Sequence, residues 1–349
     1  MADKSAQKTT PNISSVVADV LKSIEREREQ EIVSRRFGLY DRKETLEQIG
    51  ELLGITSERV RQLEKVVVTR LKQSAEKGEF AELLKLQEVY VQNLHSMGMA
   101  SRVSDLSAKL TATNTKIDQA QVSFLAMLSP KLTVLDENDF YFLAVAIKSE
   151  HPDATGFKKQ VDKTVAVIKK IGEPCGIDKV AEELGDKSVA HARALASISK
   201  QIATLNGRWG LVRWPMVNPK NIRDKIYVIL YENGKPLHFN DIASSIKKSS
   251  FKRRDVTTQA IHNELIKDDR FVLIGRGIYA LKEWGYKKGT VADIITDILS
   301  KSDEPLHRDE IVKRVLKKRQ VKETTILLNL QGKPQFKRVA KATYELSEK

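Results

Sequence analysis

The chain of 349 residues is 41% hydrophobic and 30% charged and carries a net charge of +14. That balance excludes an unstructured chain, and no stretch approaches the 18 uninterrupted apolar residues of a membrane span. Cys175 is the only cysteine, which excludes an internal disulfide and a zinc finger and fits a reducing cytoplasm.

Residues 1–11 are polar, without a signal-peptide-like apolar stretch, and residues 1–20 read as a disordered or frayed segment. Residues 45–65, TLEQIGELLGITSERVRQLEK, have the form of a helix-turn-helix within a domain spanning 21–76. Thr45 and Gln48 are spaced as a capping box, and Leu46, Ile49, Leu52 and Leu53 recur on one helical face. Gly54 suits a left-handed helix end, Ile55 anchors the turn, and Thr56 or Ser57 caps a second helix. The exposed side chains of that helix begin with Glu58, Arg59, Arg61 and Gln62. Arginine forks onto guanine, glutamate accepts from cytosine, and glutamine pairs with adenine, so these types match the base-edge code. A small helical core with a solvated, charged third helix would produce the same pattern; the flanking sequence decides.

Residues 24–29 read IERERE, residues 35–39 read RRFGL, and the helix after ERVRQLEK runs on through Arg70 to Lys72. From about residue 25 to residue 72 the chain closely resembles the C-terminal domain, region four, of bacterial primary sigma factors. The resemblance implies that the second helix of the pair enters the major groove of a promoter −35 element. It places Glu58, Arg61 and Gln62 at base edges and Thr45, Ser57, Arg59, Lys65, Arg70 and Lys72 along phosphates. It also makes Arg28, Arg35, Arg36, Phe37 and Leu39 candidates for contact with RNA polymerase. Two departures stand out: the family usually has arginine at the place of Ser57 and a basic residue at the place of Val66, which implies relaxed specificity.

Beyond this domain one pattern recurs: helix, turn, helix, helix, two-stranded hairpin, the plan of a winged helix. Its clearest copy, residues 220–285, has Pro236-Leu237-His238 at the turn, a helix through Ile242 and Ile246, and a third helix with Ile261 and Leu265. Strands 270–274 and 277–281 close it around Gly275-Arg276-Gly277. A last copy, residues 289–349, uses Pro305-Leu306-His307, and an earlier one, residues 157–217, uses Gly172-Glu173-Pro174. Residues 77–150 are helical, with a weaker copy whose hairpin is expected at 132–135 and 140–143. The fold class expected is therefore mainly α with small β-hairpin wings, a helix-turn-helix followed by tandem winged-helix units. PLHFNDIASSI, DDRFVLIGRGIYALKEWG and EPLHRDEIVKRVL resemble the HARE-type winged helix, a family that includes the N-terminal domain of the RNA polymerase delta subunit. That resemblance implies an adaptor or DNA-contacting role.

Lys252, Arg253 and Arg254 lie between the second and third helices of the 220–285 copy and Arg276 on its wing, the positions from which winged helices commonly touch phosphates. Solvated charge and docking onto protein are the competing readings. His238 and His307 share one slot ahead of a helix, where imidazole caps backbone groups. No phosphate loop, nucleophile elbow, dinucleotide fingerprint or metal-ligand spacing is present, so no enzyme, cofactor or metal is expected. Nothing resembles the aromatic-rich promoter-melting region of sigma factors. The sequence thus reads as a sequence-specific, cytoplasmic, nucleoid-associated transcription protein. Its expected partners are double-stranded DNA and RNA polymerase core, with no membrane or small-molecule substrate. The alternatives are a protein-docking scaffold and a non-specific nucleoid-type binder.

Overall fold

One topology is repeated four times in the computed structural model, which describes residues 11–251, 253, 255–286, 289–302, 304–319 and 321–347. In the first winged helix α5 (Ala81–Met97) leads to β1 (Ala100–Arg102), α6 (Val103–Leu110), α7 (Lys116–Leu128), β2 (Leu132–Leu135) and β3 (Ala144–Ile147). The second is α8 (Ala154–Ile171), β4 (Cys175–Gly176), α9 (Ile177–Leu184), α10 (Val189–Ile198), β5 (Ile202–Leu205) and β6 (Arg208–Leu211). The third is α11 (Ile222–Asn233), β7 (Leu237–His238), α12 (Phe239–Lys248), α13 (Thr258–Lys267), β8 (Phe271–Gly275) and β9 (Ile278–Leu281). The fourth is α14 (Val291–Leu299), β10 (Leu306–His307), α15 (Arg308–Lys318), α16 (Glu323–Gly332), β11 (Phe336–Ala340) and β12 (Thr343–Leu346). Each three-stranded antiparallel sheet has its last strand in the middle: β1-β3-β2, β4-β6-β5, β7-β9-β8 and β10-β12-β11. The short strand before the second helix thus ties the wing to the helical half. His238 and His307 cap α12 and α15, each Nδ1 accepting from a backbone N–H at 3.3 Å.

Ahead of the repeats stand α1 (Ile13–Lys22), α2 (Glu27–Phe37), α3 (Leu46–Leu53) and α4 (Ser57–Glu76). The expectation of a frayed start through residue 20 fails for α1. Asn12 caps it, and Val16, Val17, Val20 and Leu21 form an apolar stripe buried on the protein. Contacts divide the chain into two compact units, Met1–Arg213 and Trp214–Lys349. Among the described residues no helix is long and apolar enough to cross a membrane.

The helix-turn-helix is not a separate bead within the first unit. Ile32, Ile49 and Val60 make a small core of their own. A much larger core joins Val33, Leu39, Val67 and Leu71 to Val17, Leu86, Leu106, Phe124 and Val145 of α1 and the first winged helix. Phe37 meets the Phe124 ring at 5.1 Å. Gln121 of α7 donates to the Leu39 carbonyl at 2.8 Å and accepts from Ser14 of α1 at 2.9 Å.

The first two winged helices are joined just as closely. The α10 helix packs on β1, and Ala194, Leu195 and Ile198 share a core with Ala100, Ala144 and Phe157. Residues 140–143, expected as a strand, instead form a loop pinned to the second winged helix, and the strand itself is Ala144–Ile147. Phe142 N donates to Ile198 O at 2.9 Å, Lys200 N to Phe140 O at 2.7 Å, and Tyr141 Oη to Asp162 at 2.6 Å. Gly98, at φ +92°, lies so close to the Ala190 carbonyl that a side chain there would collide with backbone.

This joint also contains a buried imidazole chain. His151 is fully buried, its Nε2 lies 3.2 Å from His191 Nε2, and His191 Nδ1 lies 2.5 Å from Asp186. His151 Nδ1 has no hydrogen-bond partner among the described residues. Burial, and then the charge of nearby His191, pushes the His151 pKa from 6.5 down to about 4. As pH falls, the unfolded chain therefore takes up the proton first. Stability from this group is present above pH 6.5 and drains between 6.5 and 4, by on the order of 3 kcal/mol in total. Chemical denaturation between pH 7 and 4 should show this slope in the wild type and a flatter one in His151→Gln. Equal slopes would remove His151 as its source.

Candidate nucleic-acid interface

The turn that aims α4 is built from local chemistry. Thr45 and Gln48 satisfy each other's backbone N–H groups at 3.3 and 2.9 Å, which starts α3. Gly54 ends α3 at φ +65°, and a Cβ on Gly50 would sit 2.6 Å from the Ile55 carbonyl, so the chain can turn tightly only past a glycine there. The Thr56 hydroxyl then caps α4 by accepting from Arg59 N at 3.2 Å. Leu52, expected on the apolar face of α3, is 54% exposed; Leu46, Ile49 and Leu53 supply that face instead.

Charged struts fix α2 against α4 and α3. Arg36 pairs with Glu64 at 3.1 Å, Arg70 reaches the buried Glu29 at 2.9 Å, and Arg28 donates to Leu53 O at 2.5 Å. Arg35 bridges Glu31 and Glu44, whose carboxylates raise its pKa. Arg70, expected on phosphates, is therefore engaged inside the protein while remaining half exposed.

The outer face of the first turns of α4 is open. Glu58, Arg59, Arg61 and Gln62 are all exposed, and they are tied to one another. Arg61 forks onto Glu58 with Nη2 at 2.7 Å and Nε at 2.8 Å; Gln62 donates to Glu58 at 3.2 Å, and Arg59 to Gln62 at 3.3 Å. The Arg61 bonds, then that from Gln62, hold the Glu58 carboxyl at about 2, so it is ionised at every working pH. The groups that would meet base edges are thus presented together but already paired. Solvent-exposed pairs of this kind exchange readily for other partners.

Further along α4, Lys65 and Lys72 open onto a groove of about 830 Å³, together with Arg61, Arg36 and Lys43. Lys43, Lys65 and Lys72 have no carboxylate partner among the described residues, whereas Arg36 and Arg61 do. Asp136 and Glu137, from the β2–β3 connection of the first winged helix, line the same groove. Glu137 is paired with Lys200 at 2.8 Å. Sequence reasoning missed both Lys43 and this acidic residue pair, because no local pattern shows that the β2–β3 connection returns to α4. Asp136→Asn should tighten duplex binding at low salt, on the order of two- to threefold, by removing one carboxylate near the phosphates' approach. A titration showing no gain would place Asp136 away from the bound duplex.

Residues 26–73 match the family described as Sigma-70, region 4. This segment is a helix-turn-helix of DNA-binding type, at home in transcription. No solved structure matches the chain.

Within the region 4 segment the polymerase-contact candidates need correction. Leu39 is fully buried beneath α1 and α7 and offers no docking face, whereas Phe37, packed on Phe124, is only partly buried and lines the groove beside α4. Arg28, Arg35 and Arg36 keep part of their side chains at the surface. In the second unit Arg253 and Arg276 are exposed, and Lys252 and Arg254 lie outside the described residues. Arg270 is held by Asp268 at 2.7 Å and Asp224 at 3.2 Å.

Proposed function

We propose that this protein is a sequence-specific, duplex-DNA-binding transcription protein in which α4 reads a −35-like promoter element through Glu58, Arg61 and Gln62. One observation carries the reading: these three side chains stand on an open helix face beside a groove whose Lys43, Lys65 and Lys72 have no carboxylate partner among the described residues. Thr45, Ser57, Arg59, Lys65 and Lys72 then lie along phosphates, with the Thr45 hydroxyl also serving its cap. The role is a binding one, without catalysis or cofactor. Association with RNA polymerase core belongs to the same proposal and uses Arg28, Arg35, Arg36 and the partly exposed Phe37 rather than Leu39.

Selection from a random duplex pool tests this directly, and a recovered motif resembling TTGACA is expected. A flat selection with steep salt dependence would replace the reading with charge-driven, nucleoid-type binding.

A protein-docking role for the last winged helix has its own support. The α16 helix, in the place of a groove-reading helix, exposes Leu328 at 68% and carries no basic side chain. The HARE-type likeness of the fourth winged helix, as an adaptor near polymerase, fits that role.

A further inference from the structure

Lys225 of α11 is 4% exposed, a lysine in a core position. The fourth winged helix shows what that slot otherwise holds: with Pro236 aligned to Pro305, the counterpart of Lys225 is Ile294, 1% exposed. Burying an ammonium group costs stability that isoleucine does not. Burial, and then the neighbouring Arg253 charge, lowers the Lys225 pKa. What the ammonium gains is a hydrogen bond, donated to the Arg253 carbonyl at 2.8 Å.

Arg253 lies in the connection between α12 and α13 and adopts φ +56°, a left-handed conformation that side-chain-bearing residues rarely take. Its side chain is exposed. On the other side of the connection Phe251 is buried, and its N–H donates to Ser249 Oγ at 3.3 Å. A strained arginine is thus fixed from beneath by a buried lysine, with its guanidinium turned outward. Lys247 and Lys248 in the last turn of α12 add exposed positive charge beside it. In the second winged helix the aligned Lys163 is exposed and donates to the carbonyl of Leu184, the last residue of α9, at 3.3 Å. There the following connection carries Asp186, held to His191, in place of an arginine.

We propose that Arg253 is a second phosphate contact for duplex DNA and that Lys225 is its positioning residue. The proposal rests on the DNA-binding reading of the chain but not on base recognition by α4. Such a site adds affinity without sequence preference, because phosphodiesters carry no base information.

The test is a salt titration of full-length protein on a duplex of arbitrary sequence. Each lost phosphate contact lowers the slope of log affinity against log salt by about 0.9. Arg253→Ala should lose about one contact, Lys225→Met should lose the same, and the double variant should be no weaker than Arg253→Ala alone. Melting temperatures report folding, and Lys225→Ile, the residue of the sister slot, serves if the methionine variant is unstable. A normal slope for Lys225→Met or Lys225→Ile beside a reduced one for Arg253→Ala overturns the positioning role. A normal slope for Arg253→Ala overturns the site. If Lys65→Ala still lowers the slope in that case, the α4 reading stands alone; if it does not, both readings fail.

Discussion

Replacement of Arg61 by alanine is expected to erase preference at one base pair while leaving preference at the others. The guanidinium now forks onto Glu58, and the same two parallel donors match the acceptor edge of guanine in the major groove. Losing such a contact weakens binding to the preferred duplex on the order of 10- to 100-fold and weakens a duplex substituted at that pair far less. The variant also frees Glu58. Without Arg61 its carboxyl rises from about 2 toward the ordinary 4.5, because the largest cause of its depression is gone. Affinities across a set of single-base-substituted duplexes give the answer. Equal loss on every duplex would make Arg61 a phosphate contact, and Glu58 and Gln62 would then lose their claim as readers as well.

The second large effect is on stability. Phe124→Ala empties the centre of the core that α7 shares with α1, α2 and α4, and a buried phenylalanine removed this way costs about 3–5 kcal/mol. If the helix-turn-helix were an independent module, its own small core of Ile32, Ile49 and Val60 would hold it together while the first winged helix loosened. The shared core predicts otherwise. Hydrogen exchange should show amides of α4 and α7 opening together, both accelerated in the variant. Wild-type exchange in α4 beside fast exchange in α7 would show two separable modules. The consequence for function is direct: because α4 is braced by the first winged helix, its orientation is set by more than the region 4 segment.

What could be read from the sequence followed the range of the interactions. The capping box at Thr45, the left-handed Gly54 and the Thr56 cap are decided within four residues, and each appears in the structure as the sequence implies. The hairpin β8–β9 was legible for the same reason, since alternation and a Gly277 turn specify it locally. Strand β3 was not. Ala144–Ile147 is buried on both faces and shows no alternation, while Phe140, Tyr141, Phe142 and Leu143 look more strand-like and are used as a loop. The fate of Phe37 and Leu39 was equally hidden. Their partners, Phe124 and Gln121, lie more than 80 residues away, and an apolar residue at the end of a helix reads the same whether a partner protein or the chain itself covers it. At the reading face, sequence supplied the residue types, but the mutual pairing of Glu58, Arg61 and Gln62 required their geometry. The groove wall with Asp136 and the buried Lys225 had no local sign at all.

The central claim is that the outer face of α4 lies against paired bases in a duplex. A photoreactive side chain at position 62 of the full-length protein measures this at single-nucleotide resolution. The account predicts cross-links to bases on the major-groove side of one short motif, competed by unlabelled duplex carrying that motif and not by a scrambled one. Cross-links confined to protein, or spread evenly along any duplex, would contradict it.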